Sequence, residues 1–281
     1  MKTSERVFNG VYEGEYLNQV AMPMGGIGAG MICLEGTGAL SHVSVKNQPD
    51  VFNEPYAYAA ICVKGESNWT RVLEGPVPKR KIFGPNGSAN GSGMNTFGFP
   101  RFAASTFRGQ FPFGEVELSH PESPCVVKIV GWSPFAPGDA DDCSLPVCGL
   151  EYTFENSGPS PLEMVFSFNA YNFLMETKDR VNSPTRTQKL ENGFMFESDA
   201  GNEGHFLESR FTAVCLDEQV MVNPAWFRGG WFDARTLAWN NAASGEGVNA
   251  DELPDDKPSP GGSLYVPFTL PAGESKTIKL L

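Results

Sequence analysis

About one residue in five of this chain is glycine or proline: 31 Gly and 22 Pro among 281 residues, spread as punctuation and well above the roughly 12% typical of the pair. Such frequent breaks leave little room for long helices. Between them, apolar residues recur at every second position. Val116 and Leu118 alternate with Glu115 and Glu117, and Tyr152 and Phe154 with Glu151, Thr153 and Glu155. Leu162, Met164, Phe166, Phe168 and Ala170 alternate with Glu163, Ser167 and Asn169 in the same way. Period-two patterning predicts strands with one buried and one wet face. Similar extended runs cover residues 42–46, 57–64, 102–107, 126–132, 193–197, 205–216, 264–270 and 277–280, and no amphipathic helix is expected. Each sheet has an apolar face that another layer must cover, so the expected fold is all-β, a two-sheet antiparallel β-sandwich. The turn-rich segment Glu155 to Pro161 separates two of the runs, which predicts an antiparallel hairpin over residues 147–174. Residues 84–95 and 240–262 read as loops. Because the chain stops inside an alternating run, Lys276 to Leu281, it is expected to be cut from a longer one.

Charge narrows the function classes. Lys and Arg number 21 against 33 Asp and Glu, a net charge of −12, and the longest cationic run is Lys79-Arg80-Lys81. A phosphate backbone is repelled by this balance, so nucleic acid is disfavoured as a partner. No apolar run approaches the ~20 residues of a membrane-spanning helix, and no apolar stretch follows the charges of Met1 to Gly10. A cytoplasmic location is expected, or a periplasmic or secreted one where a leader has been removed. Cys33, Cys62, Cys125, Cys143, Cys148 and Cys215 include no C-x-x-C, which points to buried free thiols rather than disulfides or a zinc site.

No complete catalytic constellation emerges. The run Gly25-Gly26-Ile27-Gly28-Ala29-Gly30 invites a phosphate-binding reading, but the spacing of a dinucleotide loop fails at Met31 and no Lys-Ser/Thr pair follows. Glycines serving positive φ or a tight approach are the expectation there. Asp139, Asp141 and Asp142 form a carboxylate-rich turn that could bind calcium or do acid/base work; a calcium loop would need Gly at Ser144 and Glu at Leu150, so a hydrogen-bonded turn is favoured. His42, His120 and His205 are scattered, with no H-E-x-x-H and no G-x-S-x-G serine elbow. No cofactor or metal is expected. Asn68, Asn86 and Asn90 begin glycosylation sequons, usable only on a eukaryotic secreted chain. The stretch Asn223 to Asp233 carries Trp226, Arg228 and Trp231, with Trp239 following; these aromatics could stack on sugar, anchor a partner domain, or sit in the core.

Three stretches then resemble the N-terminal domain of glycoside hydrolase family 116, the non-lysosomal glucosylceramidase and bacterial β-glucosidase family. They are Met22 to Gly30; Phe111-Pro112-Phe113-Gly114-Glu115-Val116-Glu117-Leu118 running on to Trp132-Ser133-Pro134-Phe135 and Asp139 to Val147; and Trp226-Phe227-Arg228-Gly229-Gly230-Trp231-Phe232. The resemblance implies a supersandwich-like β-sandwich over residues 1–281 that packs on a C-terminal (α/α)6 barrel. It also implies a retaining mechanism on β-glucosides or glucosylceramide-like lipids, with both catalytic carboxylates in the barrel. No catalytic residue is therefore carried onto this chain. Gly25, Gly26, Gly28, Gly30, Trp226, Arg228 and Trp231 become candidates for the domain interface or the substrate entrance, and an exposed apolar patch of more than a few hundred Å² is expected. The alternative is a self-sufficient carbohydrate-binding or scaffold sandwich with Trp69, Trp226 or Trp231 as a glycan platform.

Overall fold

A computed structural model describes residues 7–45, 53–83, 95–174, 185–199, 208–227, 233–254 and 258–281. Among them the period-two runs become seventeen strands. In chain order these are β1 (Tyr12–Glu13), β2 (Ala21–Met24), β3 (Met31–Glu35), β4 (Leu40–Ser44), β5 (Ala57–Val63), β6 (Trp69–Val72), β7 (Ala104–Gln110), β8 (Phe113–Ser119) and β9 (Val126–Trp132). There follow β10 (Gly149–Glu155), β11 (Leu162–Tyr171), β12 (Thr185–Leu190), β13 (Gly193–Ser198), β14 (Ser209–Val214), β15 (Met221–Asn223), β16 (Gly261–Leu270) and β17 (Ser275–Leu280). Three α-helices, α1 (Lys79–Phe83), α2 (Ala140–Cys143) and α3 (Asp233–Ser244), and a 3-10 helix at Gly14–Gln19 intervene. No helix among the described residues is long and apolar enough to cross a membrane.

The fold is all-β, as the alternation predicts. A six-stranded sheet runs β1-β7-β8-β9-β10-β17 and a five-stranded sheet β15-β16-β11-β5-β6. Two three-stranded sheets, β12-β13-β14 and β2-β3-β4, were not foreseen. The large sheets share one continuous apolar core that includes Val116, Ile129, Phe154, Ile61, Phe166 and Val266. All six cysteines are free and five are buried.

The expected 147–174 hairpin does not form. β10 pairs with β9 and β17, whereas β11 pairs with β16 and β5, so the Glu155–Pro161 segment crosses from one sheet to the other. Strands of one hairpin share a sheet, and their apolar faces lie side by side. Here those faces oppose each other, Tyr152 meeting Phe166 at 5.0 Å and Phe154 meeting Phe268 at 5.8 Å between ring centroids, which removes both from water at once. Asn156, fully buried at the crossing, holds the bend: its Nδ2 donates to the carbonyls of Ser160 (2.8 Å) and Leu270 (3.0 Å), and its Oδ1 accepts from the Gly158 N–H (2.9 Å).

Nor is the outer face of β11 wet. Ser167 and Asn169 are buried there beneath α3, a helix in a region where none was expected and part of which read as loop. Small polar groups tolerate this burial because they bond one another: Asn169 Nδ2 donates to Ser167 Oγ (3.0 Å), Ser263 Oγ to Asn169 Oδ1 (2.7 Å), and Trp226 Nε1 to Ser263 Oγ (2.8 Å). The C-terminal end of α3 is fastened by Asn68, whose Nδ2 donates to the carbonyls of Ala243 (3.1 Å) and Ser244 (2.8 Å). The sequons at Asn86 and Asn90, the histidine at 205 and all but one residue of the 84–95 loop lie outside the described residues.

Candidate functional site

The glycine run is a tight corner between β2 and β3. Gly25, Gly28 and Gly30 stand at φ +137°, +77° and +93°, and the Ala29 N–H closes a turn on the Gly26 carbonyl at 3.1 Å, so positive φ is needed where glycine supplies it. Gly26 serves a different need. A Cβ there would overlap the Leu145 carbonyl oxygen and stand 2.6 Å from the Ser144 carbonyl carbon.

This close approach joins the glycine corner to the acidic turn. The Ile27 N–H donates to the Cys143 carbonyl (2.8 Å), and the Gly25 N–H to Ser133 Oγ (3.1 Å). The Ser133 N–H in turn donates to the Pro112 carbonyl (3.2 Å). Cys143, buried, seals the 136–143 loop through Sγ, accepting from the Ala136 N–H and donating to its carbonyl, each at 3.2 Å. Three segments far apart in sequence, residues 25–30, 111–113 and 133–147, thus meet at the end of the six-stranded sheet where Phe113 and Gly149 both pair with Trp132.

Side chains at this end point outward. Ile27, Phe111, Phe113, Phe135 and Leu145 are between 45 and 67% exposed, and the rings of Phe111 and Phe135 meet edge to face at 4.9 Å. Twelve large hydrophobic residues are exposed among those described; five come from these three segments, which marks a patch rather than scatter. Sequence reasoning used Phe111, Phe113 and Phe135 only as carriers of a resemblance and did not single them out as site residues. The available signal was an aromatic on each side of a proline turn, at Phe111 and Phe113.

Asp139, Asp141 and Asp142 are exposed and do form a hydrogen-bonded turn. Asp139 Oδ1 accepts the N–H groups of Asp141 (3.1 Å) and Asp142 (3.0 Å), capping the four-residue α2. No three His, Cys, Asp or Glu side chains among the described residues are placed to hold a metal ion. His120 Nδ1 accepts from the Glu122 N–H (3.1 Å), and His42, at φ +53° in β4, shares a 2.6 Å hydrogen bond with Ser41.

Trp226 is in the core, 3% exposed. Its backbone N–H donates to Ser259 Oγ (2.8 Å) and its ring lies edge-on to Tyr56 at 6.5 Å, so the ring presents no exposed face on which a glycan could stack. Trp69 is half-buried, edge-on to Phe102 with the Arg71 guanidinium over its ring. Arg228 and Trp231 lie outside the described residues. Because the paired rings of Tyr152 and Phe166, and of Phe154 and Phe268, set β10 and β11 running oppositely across the core, the Gly149 end of β10 is level with the Tyr171 end of β11. The Trp226 turn, packed on Gly261 opposite Tyr171, therefore belongs to the same end of the sandwich as the glycine corner.

Residues 21–281 match the family described as beta-glucosidase 2, glycosyl-hydrolase family 116 N-term. The chain belongs to that family. No curated protein matches it. The family 116 match begins at the first residue of β2 and takes in every later element, including the glycine corner, the acidic turn and the exposed aromatics. An N-terminal domain of family 116 stands in a glycoside hydrolase context, and it implies a catalytic domain as its partner in the full enzyme.

Proposed function

We infer that this chain is the non-catalytic support of a family 116 β-glucosidase or glucosylceramidase-like enzyme, stabilising a helical catalytic barrel in the same polypeptide and shaping the entrance to its pocket. One observation carries this reading: the buried carboxylates among the described residues, Glu35, Glu74 and Glu197, are already paired with cations. Glu35 is held by both oxygens on Lys81 Nζ (2.7 and 2.8 Å), which also meets Glu54 at 2.7 Å. Glu74 pairs with Arg101. Glu197 takes Arg210 at 2.8 Å and Arg186 at 3.4 Å, with Gln188 donating to it at 2.8 Å. A retaining glycosidase needs two carboxyl groups about 5 Å apart facing the scissile bond, whereas each of these carboxylates is already occupied by a cation. Glu197 ties β13 to its neighbours β12 and β14, and Lys81 ties α1 to β3.

The test compares this chain with the polypeptide that adds the helical domain, both purified and assayed on a chromogenic β-glucoside. Turnover by the longer protein alone is expected, with no saturable glucoside binding by residues 1–281 in calorimetry. Hydrolysis by the 281-residue chain would overturn the proposal, and saturable binding without turnover would favour the stand-alone carbohydrate-binding alternative.

A further inference from the structure

The geometry points to the end face formed by Ile27, Phe111, Phe113, Phe135 and Leu145 as the surface on which the helical catalytic domain docks, through an element apolar at its centre and basic at its rim. This rests on the functional reading above and adds where the domains meet and what chemistry the partner presents. Three features of the face converge.

First, it is apolar and open, with its aromatic pair Phe111 and Phe135 in mutual contact; such a patch on a protein surface marks a contact site. Second, it is built to hold its shape. The corner carrying Ile27 is pressed on Leu145 with no room for a Cβ at Gly26, and the three segments are laced by hydrogen bonds of 2.8–3.2 Å, so docking orders little that is not already ordered. Third, its charge has one sign. Residues 25–30, 111–113 and 133–147 contain Asp139, Asp141 and Asp142 and not one Lys, Arg or His. A second copy of this chain would bring the same carboxylates to the same face and be repelled, whereas a surface with Lys or Arg around an apolar centre is drawn in.

The experiment places the photo-reactive residue p-benzoylphenylalanine at position 27, 111 or 135 of the full polypeptide, with position 212 on β14 as control. An aromatic at these exposed sites leaves folding intact, and retained turnover of a β-glucoside verifies it. Irradiation is expected to link 27, 111 and 135 to peptides of the catalytic domain with at least tenfold the yield at 212. Adding Asp141→Lys with Asp142→Lys, which spares the cap at Asp139, should lower the yield at 135 at least fivefold at low ionic strength. Links to the catalytic domain from 212 but not from the face would refute the face while leaving the functional reading in place. Links to a second copy would replace the occupant, and an unchanged yield in the charge variant would remove the basic rim. An active polypeptide with no interdomain link from any of the four positions would likewise refute the face, while the functional reading stands or falls on the turnover comparison.

Discussion

Gly26 and Gly28 sit two residues apart in one corner and should fail for opposite reasons. At Gly26 the obstacle is space: a Cβ overlaps the Leu145 carbonyl oxygen and comes within 2.6 and 2.8 Å of the Ser144 and Leu145 carbonyl carbons, backbone atoms that cannot rotate away. Gly26→Ala must push the corner off the acidic turn, at an overpacking cost of about 1–3 kcal/mol. It also stretches the 2.8 Å bond from the Ile27 N–H to the Cys143 carbonyl, which adds about 1 kcal/mol. The sum of about 2–4 kcal/mol corresponds to a melting temperature roughly 3–7 °C lower for a chain of this size. At Gly28 the obstacle is torsion: nothing lies within 4 Å of its Cβ position, but φ is +77°. Asn tolerates that region, so Gly28→Asn should cost less than about 1 kcal/mol, whereas β-branched Gly28→Val should cost about 1–2 kcal/mol or more. Thermal unfolding followed by circular dichroism separates the cases, because Asn rescues torsion and not space: Gly26→Asn should be at least as damaging as Gly26→Ala. A Gly26→Ala melt within 1 °C of the parent, or equal losses for the two Asn variants, would refute the argument.

Other consequences can be measured on the same protein. Trp226→Phe keeps the ring in the core but loses its 2.8 Å donation to Ser263, while Ser263 keeps its bond to Asn169; urea unfolding should show a loss of about 1 kcal/mol, and an unchanged midpoint would deny that network a role. Asn68→Ala removes its donations to the Ala243 and Ser244 carbonyls and should cost about 1 kcal/mol, with faster hydrogen exchange confined to α3 if the helix alone loosens. Burial pushes the thiols of Cys33, Cys125, Cys148 and Cys215 from an ordinary value of 9.0 up to about 11. Above pH 9 the unfolded chain loses thiol protons that the folded chain keeps. Stability present below that pH should therefore fall between pH 9 and 11, by up to about 1.4 kcal/mol per thiol per pH unit. Flat stability across that window, or thiol reagents that react fast with the native chain at pH 8, would contradict the burial.

Strand positions were legible because they rest on alternation, a local property: the 126–132 run is β9 to the residue, and the 264–270 run is the later part of β16. Pairing was not, since the seven residues from Glu155 to Pro161 carry the same turn chemistry whether the chain doubles back within a sheet or crosses to the opposite one. What decides is the distant partner, β16 offering Phe268 to Phe154, and a single sequence does not reveal it. Helix α3 was hidden for a different reason. Its inward stripe is alanine, with Ala238 and Ala242 buried against the sheet, and alanine contributes little to an apolar periodicity however well it favours the helix.

The end face shows where local reading stops being informative about function. The glycine corner was visible, and its need for positive φ followed from residue type; that Gly26 abuts residue 145 depends on how β2, β9 and α2 are brought together. The exposed aromatics were visible as letters, but a phenylalanine beside a proline turn is as compatible with a core as with a surface. Only the burial of Val116 and Leu118 on the inner side of β8 fixes which way Phe113 can point. Along a strand, a residue at odd separation from a buried one faces away from the core. Phe113 is three residues before Val116 and is 46% exposed. Its exposure is therefore the continuation of the same alternation that built the core, which is how one strand can serve the sandwich with one face and a partner domain with the other.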